Sequence, residues 1–495
     1  MLKKLPLLAI CAILAACGSD YTPPPVVPEP PPPPEPPPVV ESSLVYWNKC
    51  EHPRTGSPDG FLPYPDTQGT VADEKRFLRL YHEENYLWYR ELPKLDEASF
   101  GSALSYFDAL KTPALTASGA PKDRFHFTYP TAQYDAMQKG ANIGYGTNWS
   151  RNADGKAPRT WRLAYVVPGT PAAAAGMLRG DQLLEIDGVD FVNATDAESV
   201  ARFNAALTPA QSGAQHTLRV LRGSQTLDFT LTSAALTISP VLQSQVLDTP
   251  NGKVGYLVFN SHNLAAEKPL IDAFAQFRDA QVKELVLDMR YNGGGYLTVA
   301  SELAYMIAGP QATDGKIFEQ TLANDKLAKP APFRFPVISF GYSGAARNQL
   351  LPFLALPRVI VLAGPGTCSA SESVVNGLRG IDVQVELIGG QTCGKPYAFT
   401  PLPNCGTTYF SIQYQGVNQK GWGDYADGFA PTCSVPDDFA RQLGDKAEGQ
   451  LASALAYLES GVCPAPAAAM RLRSAAPMPV MVPVRPEVTE LKILR

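Results

Sequence analysis

The chain has 495 residues, with 42 basic against 47 acidic side chains, 45% apolar and 18% charged. A formal net charge of −5 excludes a general binder of nucleic-acid backbones, which needs a basic face. The apolar share excludes a wholly disordered chain, no apolar run approaches the roughly 20 residues of a bilayer span, and the length accommodates about three domains.

Residues 1–17 read MLKKLPLLAICAILAAC. A basic start at Lys3 and Lys4, a short apolar stretch from Leu5 to Ala16 and small residues before Cys17 predict a cleaved signal peptide. The apolar stretch is too short for a transmembrane helix. Cleavage removes two lysines and takes the net charge from −5 to −7. Leu14-Ala15-Ala16-Cys17 resembles the bacterial lipobox, which implies a lipid anchor on Cys17. Gly18, standing where that signal would carry Asp for retention, implies sorting to the outer membrane with the protein facing the periplasm. Residues 22–40, TPPPVVPEPPPPPEPPPVV, predict a polyproline II stalk on the order of 60 Å long, within a tether spanning 18–45. The same composition could serve a proline-binding module, but behind an anchor a spacer fits better.

Cys11 leaves with the signal and Cys17 is the anchor, so Cys50, Cys368, Cys393, Cys405, Cys433 and Cys463 remain, an even set for an oxidising compartment. The sequence does not choose their pairing. A zinc site would want C-x-x-C or clustered histidines, and His52, His82, His126, His216 and His262 are scattered. His82-Glu83-Glu84 lacks the second histidine of a zincin helix. No metal and no cofactor is expected.

Residues 46–140 predict a small helical domain. Phe77, Leu80, Tyr81, Glu84, Leu87 and Trp88 recur near the helical period, Pro93 should end that helix, and a second should follow over 96–110. From 141 to 238 the pattern changes to short strands and turns, centred on AYVVPGTPAAAAGMLRGDQLLEIDGVD at 164–190. Pro168-Gly169 is a turn, Pro171 opens a short alanine helix ended by Gly176, Gly180-Asp181 leads into a strand, and Asp187-Gly188 makes a tight turn. This ordered series resembles a PDZ domain of the bacterial protease type, which implies capture of a peptide as an added strand with its carboxylate held by backbone amides.

Residues 239–463 predict a βα layered domain. KVGYLVFN (253–260), KELVLDM (283–289), PVISFG (336–341) and RVIVLAG (358–364) are continuous apolar runs, as strands buried on both faces require. Helical segments fall near 266–280, 296–308 and 369–379. After Cys463 the tail, 464–495, is rich in Ala, Pro and Met and is expected to lack fixed structure.

Two strands in this domain run into small residues and then a helix. LVLDMRYNGGGYL, at 285–297, places three glycines where backbone must approach something closely or bind an anion, although a tight turn would also use them. VIVLAGPGTCSASESVVNGLRG, at 359–380, puts Ser369 at a helix start, where free amides favour developing negative charge. Serine is also a common N-cap, and local sequence does not separate cap from nucleophile. A nucleophilic serine needs a base; no histidine stands in a catalytic context, and the stretch is not a G-x-S-x-G elbow. A lysine can be that base where burial favours its neutral amine, and Lys395 in LIGGQTCGKPYAF is the candidate.

Taken together, residues 71–435 resemble the carboxyl-terminal processing, or tail-specific, serine peptidases. The resemblance is carried by DRFHFTYPTAQYDAMQKGANIGYG, the PDZ run, LDMRYNGGG, Ser369-Ala370-Ser371-Glu372, Gln391-Thr392-Cys393-Gly394-Lys395 and Gly428-Phe429-Ala430-Pro431. It implies an α/β multidomain fold: a helical N-terminal domain, a PDZ-like β domain and a tail-specific protease core. It further implies Ser369 as nucleophile, Lys395 as general base, and the amides of Ala370 and Gly294 as the oxyanion hole. The expected partners are polypeptides with apolar C-terminal tails, and the sequence leaves the oligomeric state open.

Three departures from the family pattern stand out. Ser369 and Lys395 are 26 positions apart, one more than is usual. Phe399 occupies the place of a glutamine that orients the lysine. Gly380 replaces a helper acid, with Asp382 two residues on. Glu372 and Gln391 are candidate orienters instead, and Cys368 and Cys393 flank the dyad, where a bond between them would position it. Cys368 is itself a rival nucleophile unless paired. A non-catalytic PDZ-type scaffold or adaptor lipoprotein is the competing function.

Overall fold

Three of the four long apolar runs after residue 250 build the centre of a six-stranded sheet. Its order is Val241–Thr249, Gly252–Phe259, Glu284–Asp288, Arg358–Ala363, Gln384–Gly389 and Cys433–Ser434. The first pair is antiparallel and the remaining neighbours are parallel. The structure is a computed structural model and describes residues 41–57, 62–138, 141–465 and 480–484. The expected signal peptide and all but the end of the 18–45 tether lie outside these residues. No described helix is long and apolar enough to cross a membrane.

Both faces of the sheet are covered, which is why its strands are apolar throughout. Leu257, Phe259, Leu285, Leu287, Val359 and Val361 face helices Glu267–Asp279, Leu297–Thr313 and Ala370–Gly380. Their sequence neighbours Tyr256, Val258, Val286, Ile360 and Leu362 face Gly449–Ser460 on the other side. The second of these helices is interrupted at Gly309, with Pro310 following.

The fourth run, 336–341, is not a sheet strand. Val337 is 48% exposed and Ile338 makes only an isolated bridge to Leu350. Ser339 N–H bonds Gln349 O at 2.9 Å, and the donors at its end go to buried acids: Phe340 N–H to Glu302 at 3.3 Å, and Gly341 and the following Tyr342 N–H to Glu267. With those amides satisfied, the apolar side chains line an exposed arm rather than a core.

The region read as PDZ-like forms its own sheet, with Thr147–Asn152, Trp161–Val166, Gln182–Ile186, Gln215–Arg222 and Gln225–Thr232 in meandering contact. Pro171 opens the helix Pro171–Ala174 as expected. Trp149, Trp161, Phe191, Phe203 and Leu218 fill the core. Arg179 ties this sheet to the larger one. Its guanidinium donates to Tyr291 Oη at 2.5 Å and to Asp437, and Asp437 also receives Arg290 at 2.9 Å. The tail differs from expectation, because Met481–Pro483 forms an additional strand against Ser150–Asn152.

In the amino-terminal region, helix Val71–Asn85 starts with a reciprocal Thr70–Asp73 cap and stops well before Pro93. Tyr86 turns inward, fully buried, and Leu87 N–H bonds Ile412 O at 2.9 Å, so pairing with a late segment outcompetes further helix. The second helix is Ala103–Ala109, shorter than 96–110, because Asp96 caps a separate turn at Glu97–Ser99. Phe127–Pro130 pairs with Thr407–Phe410, and Cys50 is bonded to Cys405.

His82 is wholly buried among Tyr86, Phe107 and His126, near Asp123, with Nδ1 2.7 Å from Leu78 O. Burial, then His126, push its pKa down to about 3. A depressed folded value means this contribution to stability is present above the ordinary histidine pKa of 6.5 and is lost as pH falls toward 3. Thermal melts between pH 7 and 4 should therefore show Tm falling with acid, with a shallower slope in His82→Leu. An equal slope in both chains would remove His82 as a cause.

Candidate active site

Ser369 stands between strand Arg358–Ala363 and helix Ala370–Gly380, with φ 57° and ψ −118°. That conformation costs a non-glycine residue about 1–3 kcal/mol, and here the surroundings fix it. Thr367 Oγ1 donates to Met289 O at 2.9 Å, Cys368 N–H to Asn292 O at 3.1 Å, and Ser371 Oγ to Asn292 O at 3.1 Å. The serine loop is thus stitched to the glycine loop that follows Asp288. Cys368 is bonded to Cys393, so it is no free thiol, and the same bond draws the lysine loop alongside.

Glu372 is the hub of the site. Its buried carboxylate accepts from Ser369 N–H at 3.0 Å, Gly394 N–H at 2.8 Å, Lys395 N–H at 2.8 Å and Thr392 Oγ1 at 2.5 Å. One oxygen, Oε2, takes both the Ser369 and the Lys395 amides, so those nitrogens lie no more than about 6 Å apart. Burial pushes the carboxyl pKa up, against four bonds that favour the ionised form.

Lys395 is half-buried, and its Nζ lies 4.1 Å from the centroid of Phe399 and 5.3 Å from that of Phe125. The residue in the place of the family's glutamine therefore gives the amine an aromatic wall. Gln391 donates its side-chain amide to Asp427 O at 2.5 Å. Asp382 is exposed and paired with Lys420. Glu372 acts on Lys395 through the backbone. Arg124 holds the same loop from outside, donating to Cys393 O at 2.6 Å and Ala426 O at 2.9 Å.

The two amides read as an oxyanion hole have different surroundings. Ala370 is the first residue of its helix, where an N–H has no intrahelical acceptor. Gly294 has φ 103°, and a Cβ there would stand 2.8 Å from Ser369 Cβ and 3.0 Å from Ala370 N. Glycine alone allows this approach. The Gly294 N–H, however, donates to Asn292 Oδ1 at 2.9 Å. Behind it, His262 Nδ1 lies 3.1 Å from the same oxygen, and His262 N–H donates to Gly294 O at 2.9 Å. Burial lowers the His262 pKa to about 3, so its ring is neutral.

The sequence reading did not single out Arg124, Phe125, His262 or Asn292. Asn292 immediately precedes the three glycines, and Arg124-Phe125 lies inside the quoted DRFHF segment, so both were within the motifs. His262 had no local signal.

The comparisons with known proteins agree with this architecture. Residues 253–428 match the model of peptidase family S41, and 162–222 match a PDZ domain. The carboxyl-terminal-processing protease of Synechocystis is 28% identical over 242 residues, covering 48% of this chain and 50% of that one. The chloroplastic C-terminal processing peptidase of Tetradesmus obliquus is 30% identical over 243 residues, 46% of each. The chain spans about half the length of these curated relatives. A solved structure from Bacteroides fragilis, assigned to the S41 proteases, superposes with TM-score 0.61 at 23% identity, over 81% of this chain and 99% of its own, a likeness of fold. The chain thus carries a domain of peptidase family S41 over residues 253–428, preceded by a PDZ domain over 162–222.

Proposed function

We propose that the protein is a serine endopeptidase of the cell envelope that cleaves polypeptides recognised by their C-terminal tails. The observation that carries this reading is the shared Glu372 carboxylate, which keeps the backbones of Ser369 and Lys395 together. Ser369 Oγ attacks the peptide carbonyl while Lys395, as the neutral amine, takes its proton. The oxyanion is held by Ala370 N–H and by Gly294 N–H, which exchanges Asn292 for the substrate. Each such donor typically contributes about 2.7–4 kcal/mol. The C–N bond then breaks, Lys395 returns the proton to the leaving amine, and water, with Lys395 again as base, hydrolyses the acyl-enzyme.

The envelope location, with a lipid anchor on Cys17 at the outer membrane, is supported by the signal-like start. The bonded pairs Cys50–Cys405, Cys368–Cys393 and Cys433–Cys463 fit an oxidising compartment. The PDZ domain would select substrates by adding an apolar tail as a strand.

The adaptor alternative has one observation in its favour, the engaged Gly294 N–H. The test is incubation of wild type and Ser369→Ala with an unstructured protein ending in an apolar tail, with fragments read by mass spectrometry. Wild type should produce fragments and Ser369→Ala none. Equal tail binding with no fragments from either chain would leave the adaptor.

A further inference from the structure

The PDZ sheet has an occupant from its own chain. Thr147–Asn152 would be the outer strand of that sheet, with unpaired backbone groups along one side. Met481–Pro483 fills this side in antiparallel register, with Met481 opposite Asn152 and Pro483 opposite Ser150. The pairing extends at both ends, through Ala153 N–H to Val480 O at 3.0 Å and Val484 N–H to Trp149 O at 2.8 Å. Pro483, which has no N–H, sits where that group would point away from the sheet, the one position a proline can take in such a ladder.

Successive side chains of this strand face opposite ways. Val484 packs against the PDZ core that contains Trp149 and Trp161. Pro483 turns to the other side and meets the serine loop, where a Cβ on Gly366 would lie 2.6 Å from Pro483 Cγ. Gly366 is three residues before Ser369. The segment runs from Asn152 toward Trp149, hence toward the Tyr145-Gly146 turn that precedes the strand. It thus combines strand addition, an apolar anchor and contact with the serine loop.

We propose that residues 480–484 are a built-in ligand of the PDZ edge, which an incoming substrate must displace. The inference rests on the peptide-capture reading above and narrows it. The edge takes an extended segment with valines at alternate positions and tolerates proline just before the anchored valine. Because the tail is tethered, it competes at an effective concentration on the order of millimolar, so only tails of good fit gain access.

The test uses the full chain, a chain ending at Pro479, and Val484→Asp, all with Ser369→Ala so that no peptide is consumed. The probe is a fluorescein-labelled peptide of residues 478–488, followed by anisotropy. Both altered chains should bind it at least tenfold more tightly than the full chain. Hydrogen exchange at Ala153 N–H should be slow in the full chain and fast in both altered chains. Less than a tenfold gain, no saturable binding, or unchanged exchange at Ala153 overturns the proposal. The binding arm does not depend on cleavage, so a gain in binding by chains whose Ser369 counterparts cut nothing would overturn the peptidase reading and leave this one standing.

Discussion

Lys395→Ala is expected to lower kcat for peptide cleavage by about 10²–10⁴-fold, the range for loss of a general base, with KM changed far less. Lys395→Arg is the sharper test. Guanidinium keeps the positive charge and can stack on Phe125 and Phe399, but it does not give up its proton in a protein. If the amine works as a base, arginine should be as inactive as alanine while melting at the wild-type temperature. If Lys395 contributes only as a cation on an aromatic wall, arginine should retain most of the activity. Initial rates on a quenched fluorescent peptide, with melts on the same samples, separate the two.

Glu372→Ala should be the most destabilising single change in the site. It strands the amides of Ser369, Gly394 and Lys395 and the hydroxyl of Thr392, all now directed at one buried carboxylate. A buried polar group left unpaired costs about 1–3 kcal/mol, so the combined loss should exceed about 3 kcal/mol. That is a large part of the roughly 5–15 kcal/mol that holds a domain folded. Chemical denaturation should show the midpoint shift, and Glu372→Gln, which keeps one acceptor oxygen, should lose less. A loss below 1 kcal/mol in Glu372→Ala would mean that the two loops are held by the Cys368–Cys393 bond instead.

The parts of the fold that were legible are those where one physical demand acts on a run of residues. Strands Gly252–Phe259, Glu284–Asp288 and Arg358–Ala363 are apolar on both faces because helices cover both. The segment 336–341 carries the same pattern for a different reason. The amides of Phe340 and Gly341 at its end are claimed by Glu302 and Glu267, residues far away in sequence. Ser369 was legible as a candidate but indistinguishable from a helix cap, since both roles need a serine at that point. Phe399 could be seen as a departure from the family pattern, but its position against the Lys395 amine depends on how the strand beyond Pro396 turns. The docked strand at 481–483 was hidden in a stretch whose composition fits an unstructured tail, because strand addition draws on backbone groups and asks little of side chains.

The bond between Cys50 and Cys405 joins positions 355 residues apart. Around it, Asn48 N–H bonds Asn404 Oδ1, and Tyr409 packs with Phe77 and Phe107. The segment around Cys50 is therefore completed by one made 355 residues later. A chain interrupted before residue 405 would carry Cys50 without its mate and an aromatic face without its cover. Arg124, which grips the loop leading into Lys395, belongs to this early segment. The early segment and the loop leading into Lys395, 269 positions apart at this contact, are therefore held together only once both have been synthesised.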